Sequence, residues 1–120
     1  MPKMRIGIIG AGGRGILSFG EMLTNQFRDR ASVVAFADPN KARAEAGVAS
    51  LGIKADIHEH AEDLAARKDV DAVIVTTPDY LHEEAALAAF RHGKHVFVDK
   101  PLAITGEGCL RIIEASKKAE

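Results

Sequence analysis

Short apolar runs rich in Val, Ile and Phe recur along the chain at residues 4–9, 32–37, 53–57, 71–75 and 95–98. Four of these are nearly continuous, as in strands covered on both faces, and the run at 53–57 is weaker. Between them the apolar residues change to a helical period. Ile16, Phe19, Leu23 and Phe27 mark one face of a first helix, and Ala44, Val48 and Leu51 mark a second, which Asn40 is placed to cap and Gly52 to end. Leu81, Ala85, Ala88 and Ala89 mark a helix opened by Thr77-Pro78 and closed by Gly93, and a short helix is expected over 62–67. The last helix, from about 107 to 118, begins weakly because Gly106 and Gly108 are poor helix formers, and Leu110, Ile113 and Lys117 carry its spacing.

Strand and helix in strict alternation imply parallel pairing, and right-handed crossovers place helices on both faces of the sheet. The predicted fold class is therefore α/β, a doubly wound parallel sheet (Rossmann fold) in three α/β/α layers, with residues 1–120 forming one domain. The usual strand order sets the first and fourth strands side by side, and ligands bind there, outside the carboxyl ends of the strands. That rule directs attention to residues 10–15, to 76–78, and to the strand ends at Asp38 and Asp99.

Composition adds exclusions. Apolar residues at 47% and charged residues at 28% are those of a globular domain, which argues against disorder. A net charge of −1, with Lys and Arg scattered, gives no field to attract polyanions, so no nucleic-acid partner is expected. No apolar stretch reaches the roughly 18 residues of a membrane span, and the amino terminus runs directly into a strand pattern; no membrane partner and a cytoplasmic location are expected. Cys109 is the single cysteine, which leaves no internal disulfide or cysteine cluster and suits a small apolar filler on a helix. His58 and His60, like His92 and His95, lack convergent ligands and are expected to be solvated, with no metal site.

The segment IGIIGAGGRG, residues 6–15, is the first candidate site. Gly10, Gly12 and Gly15 form G-x-G-x-x-G directly after a strand and before a helix, the context required of a dinucleotide loop. The first glycine permits the turn, the second admits a pyrophosphate to the backbone, and the third lets helix and strand pack closely. The amides of Gly13 and Arg14 then face the pyrophosphate at the positive end of the helix dipole, and the Arg14 side chain either adds a charged contact or points to solvent. A P-loop is ruled out, because Ile16 and Leu17 stand where Lys and Ser or Thr are required. Asp38 ends the second strand 23 residues after Gly15, the place of the carboxylate that accepts from the adenosine ribose hydroxyls. The same residues, Asp38-Pro39-Asn40, also suit a turn into a capped helix. A carboxylate there repels a 2′-phosphate, so NAD is expected over NADP, although Asn40, Lys41 and Arg43 soften that preference.

Residues 76–103, TTPDYLHEEAALAAFRHGKHVFVDKPLA, contain T-P-x-x-x-H and D-K-P. With the glycine loop and ADPN, these resemble the signatures of the glucose-fructose oxidoreductase, inositol dehydrogenase and rhizopine-catabolism group, the Gfo/Idh/MocA family. The resemblance implies a nicotinamide-dependent oxidoreductase acting by hydride transfer at a secondary carbinol of a sugar, inositol or related polyol. It implies that Thr76, Thr77 and Pro78 line the cofactor crevice, that His82 sits at that crevice, and that Asp99, Lys100 and Pro101 stand for the family's Glu-Lys-Pro. In that motif the lysine lies near the nicotinamide ribose and the reacting hydroxyl, which makes Lys100 the catalytic candidate; the alternative is a lysine that only fixes the nicotinamide ribose, with a histidine of the family's second domain as the main acid/base. Asp99 departs from the family by one methylene. The family continues into a carboxyl-terminal α/β substrate domain that these 120 residues do not include, so the chain alone is expected to bind cofactor without turnover. Oligomerisation is left open. Two rivals are a non-catalytic dinucleotide-binding or redox-sensing module and a methyltransferase; T-P-x-x-x-H and D-K-P argue against the second.

Overall fold

A computed structural model describes residues 3–119. Its strands are β1 (Met4–Ile9), β2 (Ala31–Ala37), β3 (Asp56–His58), β4 (Ala72–Val75) and β5 (His95–Val98). All neighbours pair in parallel, in the order β3-β2-β1-β4-β5. This is the doubly wound sheet expected from the alternation, with winding reversing between β1 and β4.

The connecting helices are α1, a π-helical stretch Arg14–Gly20 continued by Glu21–Thr24, α2 (Lys41–Leu51), α3 (Ala61–Ala65), α4 (His82–Arg91) and α5 (Gly106–Lys118). A short 3₁₀ turn, Asp79–Leu81, leads into α4. Ile6, Ile8, Val33, Phe36 and Ile74 face α1 and α2, where they meet Ile16, Leu23, Ala44 and Val48. Ile9, Ala35, Ala37, Val73 and Val75 face the other way, onto Leu64 of α3 and Ala85 and Ala89 of α4. Each inner strand thus buries both faces, which explains why its apolar run is continuous. The register between β1 and β2 shifts at Ile6/Gly7, where Val34 is the extra residue of a bulge.

The expected caps form. The Asn40 side chain accepts from the Arg43 amide at 3.1 Å, and α2 ends on Gly52 in the left-handed conformation. Several boundaries need correction. The third strand starts only at Asp56, because Ile53 and Ala55 pack onto the core before any strand pairing begins. The first helix stops at Thr24, so Phe27 lies beyond it and is 39% exposed.

The stripe expected on α5 is also wrong. Leu110 and Ile113 are 60% and 43% exposed, whereas Gly108 and Ile112 are buried. The helix meets α4 through Gly108, where a Cβ would lie 2.6 Å from Glu83 Oε1, and Arg111 pairs with Glu83 beside it. Close approach at a small residue chose the face, not the count of apolar residues. Thr105 supplies the start that glycine composition concealed, its hydroxyl accepting from the Gly108 amide at 2.9 Å.

Candidate functional site

The turn after β1 exists because of two close approaches. Gly10 has φ +108°, and a Cβ there would lie 2.7 Å from the Thr76 carbonyl at the end of β4. A Cβ at Gly15 would run into the Gly10 carbonyl oxygen, so only glycine lets α1 start this near the strand. Thr76 Oγ1 donates to Gly10 O at 2.9 Å, and this bond ties the two loops at the winding reversal.

A cleft of about 830 Å³ opens over the carboxyl ends of β1, β2 and β4. Gly10, Gly12, Gly13, Arg14, Asp38, Thr76, Thr77 and Pro78 line it, and so bring together eight of the residues singled out from sequence. At its floor the Ala11 amide is committed to Asp38 Oδ2 at 2.8 Å. The amides of Gly12, Gly13 and Arg14 donate to nothing among the described hydrogen bonds, and a Cβ at Gly12 or Gly13 would meet open space. Such a row of free amides at the start of a helix is a receptor for an anion. Opposite it, the buried Thr77 Oγ1 has no partner among the described residues, a polar atom that a bound molecule can satisfy. These residues fit a dinucleotide.

Asp38 is 2% exposed. Besides the Ala11 amide it accepts from the Asn40 amide at 2.8 Å and from Arg43 Nη2 at 2.7 Å. Burial pushes its carboxyl up, but the Ala11 and Asn40 amides and the Arg43 guanidinium outweigh that and hold it below the usual carboxylate range. The half-exposed Arg43 is therefore the group the cleft presents at the end of β2, with the carboxylate behind it.

Gly15, His82, Asp99, Lys100 and Pro101 lie outside the cleft lining. Arg14 lines the cleft by its position, but its guanidinium turns to Asp99, with Nε 2.9 Å and Nη2 3.2 Å from the two carboxylate oxygens. That contact holds the Asp99 carboxyl below its usual range. His82 is 1% exposed and braces loops from below, with Nδ1 2.6 Å from Pro101 O and Nε2 3.0 Å from Thr77 O. A doubly protonated ring donates to both carbonyls and a neutral ring to one. Lys100 and Pro101 follow β5 and are exposed, and neither lines the cleft. Glu59, Tyr80 and Glu84 do line it and escaped the sequence reading; His60 lines it too, expected from sequence only as a solvated histidine. For Glu59 and His60 the signal of a cleft position was present, since they follow β3 at its carboxyl end.

Among the described residues no group of three or more His, Cys, Asp or Glu could hold a metal ion, and no helix is long and apolar enough to cross a membrane. His92 pairs with Glu62 at 2.9 Å, and His58 Nε2 lies 2.9 Å from Arg67 Nη1.

Residues 4–120 match the family model described as an oxidoreductase family with an NAD-binding Rossmann fold, Gfo/Idh/MocA. An inositol 2-dehydrogenase of Klebsiella pneumoniae subsp. pneumoniae is 43% identical over 117 residues, covering 98% of this chain and 34% of the relative. An inositol 2-dehydrogenase/D-chiro-inositol 3-dehydrogenase of Halalkalibacterium halodurans is 39% identical over 115 residues, covering 93% of this chain and 32% of the relative. The structure of myo-inositol dehydrogenase from Lactobacillus casei in complex with NAD(H) and myo-inositol superposes with a TM-score of 0.91 at 33% identity, over 98% of this chain and 34% of that one. The WlbA dehydrogenase from Bordetella pertussis, in complex with NADH and UDP-GlcNAcA, gives 0.87 at 30% identity, over 98% and 35%. The chain spans about a third of the length of the curated relatives it matches.

Proposed function

The chain belongs to the Gfo/Idh/MocA oxidoreductase family and is an NAD-binding domain of it, and from that premise we propose a placement of the cofactor and a reaction for the enzyme. The pyrophosphate lies on the free amides of Gly12, Gly13 and Arg14, the adenosine ribose toward Asp38 and Arg43, and the nicotinamide toward Thr76, Thr77 and Pro78. The observation that carries this reading is the row of unpaired amides opening onto the cleft at the winding reversal between β1 and β4. NAD, rather than NADP, suits a strand end that carries an ionised Asp38.

The reaction proposed is hydride transfer at a secondary carbinol of an inositol, sugar or related polyol. Bound in the cleft, the nicotinamide supplies the hydride acceptor. Asp38 fastens the loop that receives the pyrophosphate, and the Thr77 hydroxyl offers the cofactor an unused hydrogen bond. The Lys100 side chain donates to nothing among the described hydrogen bonds, so its Nζ is free to hydrogen-bond the reacting hydroxyl and, as the neutral amine, to take the hydroxyl proton as the carbinol is oxidised. The 120 residues on their own bind the dinucleotide without turnover, because hydride transfer requires donor and acceptor in near-attack geometry and this fold encloses only the cofactor. Calorimetric titration with NAD and NADP tests the placement. Saturable binding of NAD is expected; no binding of either at millimolar concentration overturns it.

A further inference from the structure

We propose that Arg14 is a positioning residue for Lys100, acting through Asp99 to hold the loop after β5 against the glycine loop. The inference rests on the reading of Lys100 given above and assigns to the Arg14 side chain a task other than gripping phosphate. Asp99 Oδ2 accepts from Arg14 Nε at 2.9 Å and Oδ1 from Nη2 at 3.2 Å. The same Oδ1 accepts the backbone amide of Lys100 at 3.1 Å. One carboxylate thus joins the arginine of the first loop to the main chain of the lysine in the last.

The arginine is itself held in place. Its guanidinium carbon lies 5.2 Å from the centroid of the Phe19 ring, and Phe19 meets Phe97 of β5 edge-on at 5.4 Å. On the far side of Lys100, the Pro101 carbonyl faces His82 Nδ1 at 2.6 Å. Both sequence neighbours of Lys100 are therefore fixed while its side chain stays free. An exposed ion pair is ordinarily worth little, but this one is two-pronged, its carboxylate is only 19% exposed, and an aromatic ring backs its cation. Two of the five guanidinium N–H groups are committed to Asp99, and the loop amides of Gly12, Gly13 and Arg14 remain for the pyrophosphate.

The test uses the 120-residue chain with NAD as the probe. It reads NAD affinity by calorimetry and, at saturating NAD, the acylation rate of Lys100 relative to Lys54 and Lys117 by peptide mass. These exposed lysines correct for the reagent's general reactivity, and Lys94, whose Nζ donates to Arg67 O and Val70 O at 2.6 Å each, registers any general loss of structure. Bound NAD is expected to slow acylation of Lys100 in the parent chain. Arg14→Met and Asp99→Asn should each weaken that protection by about threefold, the double variant no further, and affinity should fall by about threefold or less. Asp99→Glu, which keeps the charge, should retain the protection. A pyrophosphate ligand behaves otherwise: Arg14→Met would cost about tenfold or more in affinity while Asp99→Asn matched the parent, and that outcome overturns the proposal. Additive losses in the double variant overturn it too. A parent chain that binds no NAD, or binds it without protecting Lys100, defeats the site placement and this proposal together. Protection in the parent that Arg14→Met leaves intact defeats this proposal alone.

Discussion

The Asp38 carboxylate accepts the Ala11 amide at 2.8 Å, so a side chain at the end of β2 fastens the first turn of the glycine loop at the end of β1. Asp38 is thereby a structural support of the glycine loop as well as a candidate cofactor contact.

Asp38→Ala should lower stability by roughly 1–3 kcal/mol, because the Ala11 and Asn40 amides lose their shared buried acceptor. Urea unfolding of both chains measures this. Since the folded state holds the Asp38 carboxyl below its ordinary value, its contribution is present above the unfolded value of about 3.9 and fades as pH falls through the lower folded one. The difference between the chains should accordingly be constant at neutral pH and shrink only below about pH 4.

Gly12 and Gly15 should separate binding from folding. Gly15→Ala drives a Cβ into the Gly10 carbonyl and toward Thr76 Oγ1, and should cost about 1–3 kcal/mol in thermal or urea unfolding. Gly12→Ala places a methyl in open space above the cleft, leaving the melting temperature near that of the parent. Its NAD affinity, read by calorimetry, should drop about tenfold, one charge-assisted bond's worth.

Arg43 stands between Asp38 and the cleft with most of its guanidinium N–H groups unused among the described bonds. A 2′-phosphate would find that cation there. Arg43→Ala should therefore widen the preference for NAD over NADP by about tenfold, measured by titrating both cofactors into both chains. An unchanged ratio would count against any role for Arg43 in cofactor choice.

Asp71 joins β4's approach to β1, accepting from the Arg5 amide at 2.8 Å and from its guanidinium at 3.0 Å and 3.2 Å. The Arg5 side chain first, and then its amide, hold the Asp71 carboxyl down at about 2. This stabilisation is complete above the unfolded value of about 3.9 and is lost as pH falls toward 2. Asp71→Asn should melt earlier than the parent at pH 7, and the two melting curves should converge between about pH 4 and pH 2.

Much of the cleft was legible before any coordinates because its parts depend on short-range chemistry. A glycine is demanded at positions 10 and 15 by backbone approach, and Asp38 and Thr76 end strands whose apolar runs are unmistakable. Asn40 and Gly52 bracket α2 through contacts within four residues. Such features need no knowledge of distant partners.

Partners, by contrast, were decided through space. By itself the sequence determined the alternating strands and helices, the glycine loop and the acid after the second strand, because each follows from local sterics and burial on both faces of a sheet. Only the tertiary structure decided that Arg14 meets Asp99 across 85 positions, that His82 braces Thr77 and Pro101 beneath the cleft, and that α5 turns Gly108 and Ile112 inward. A side chain with several donors takes whichever acceptors packing brings near, and a helix with two apolar stripes buries the one its neighbour can approach more closely.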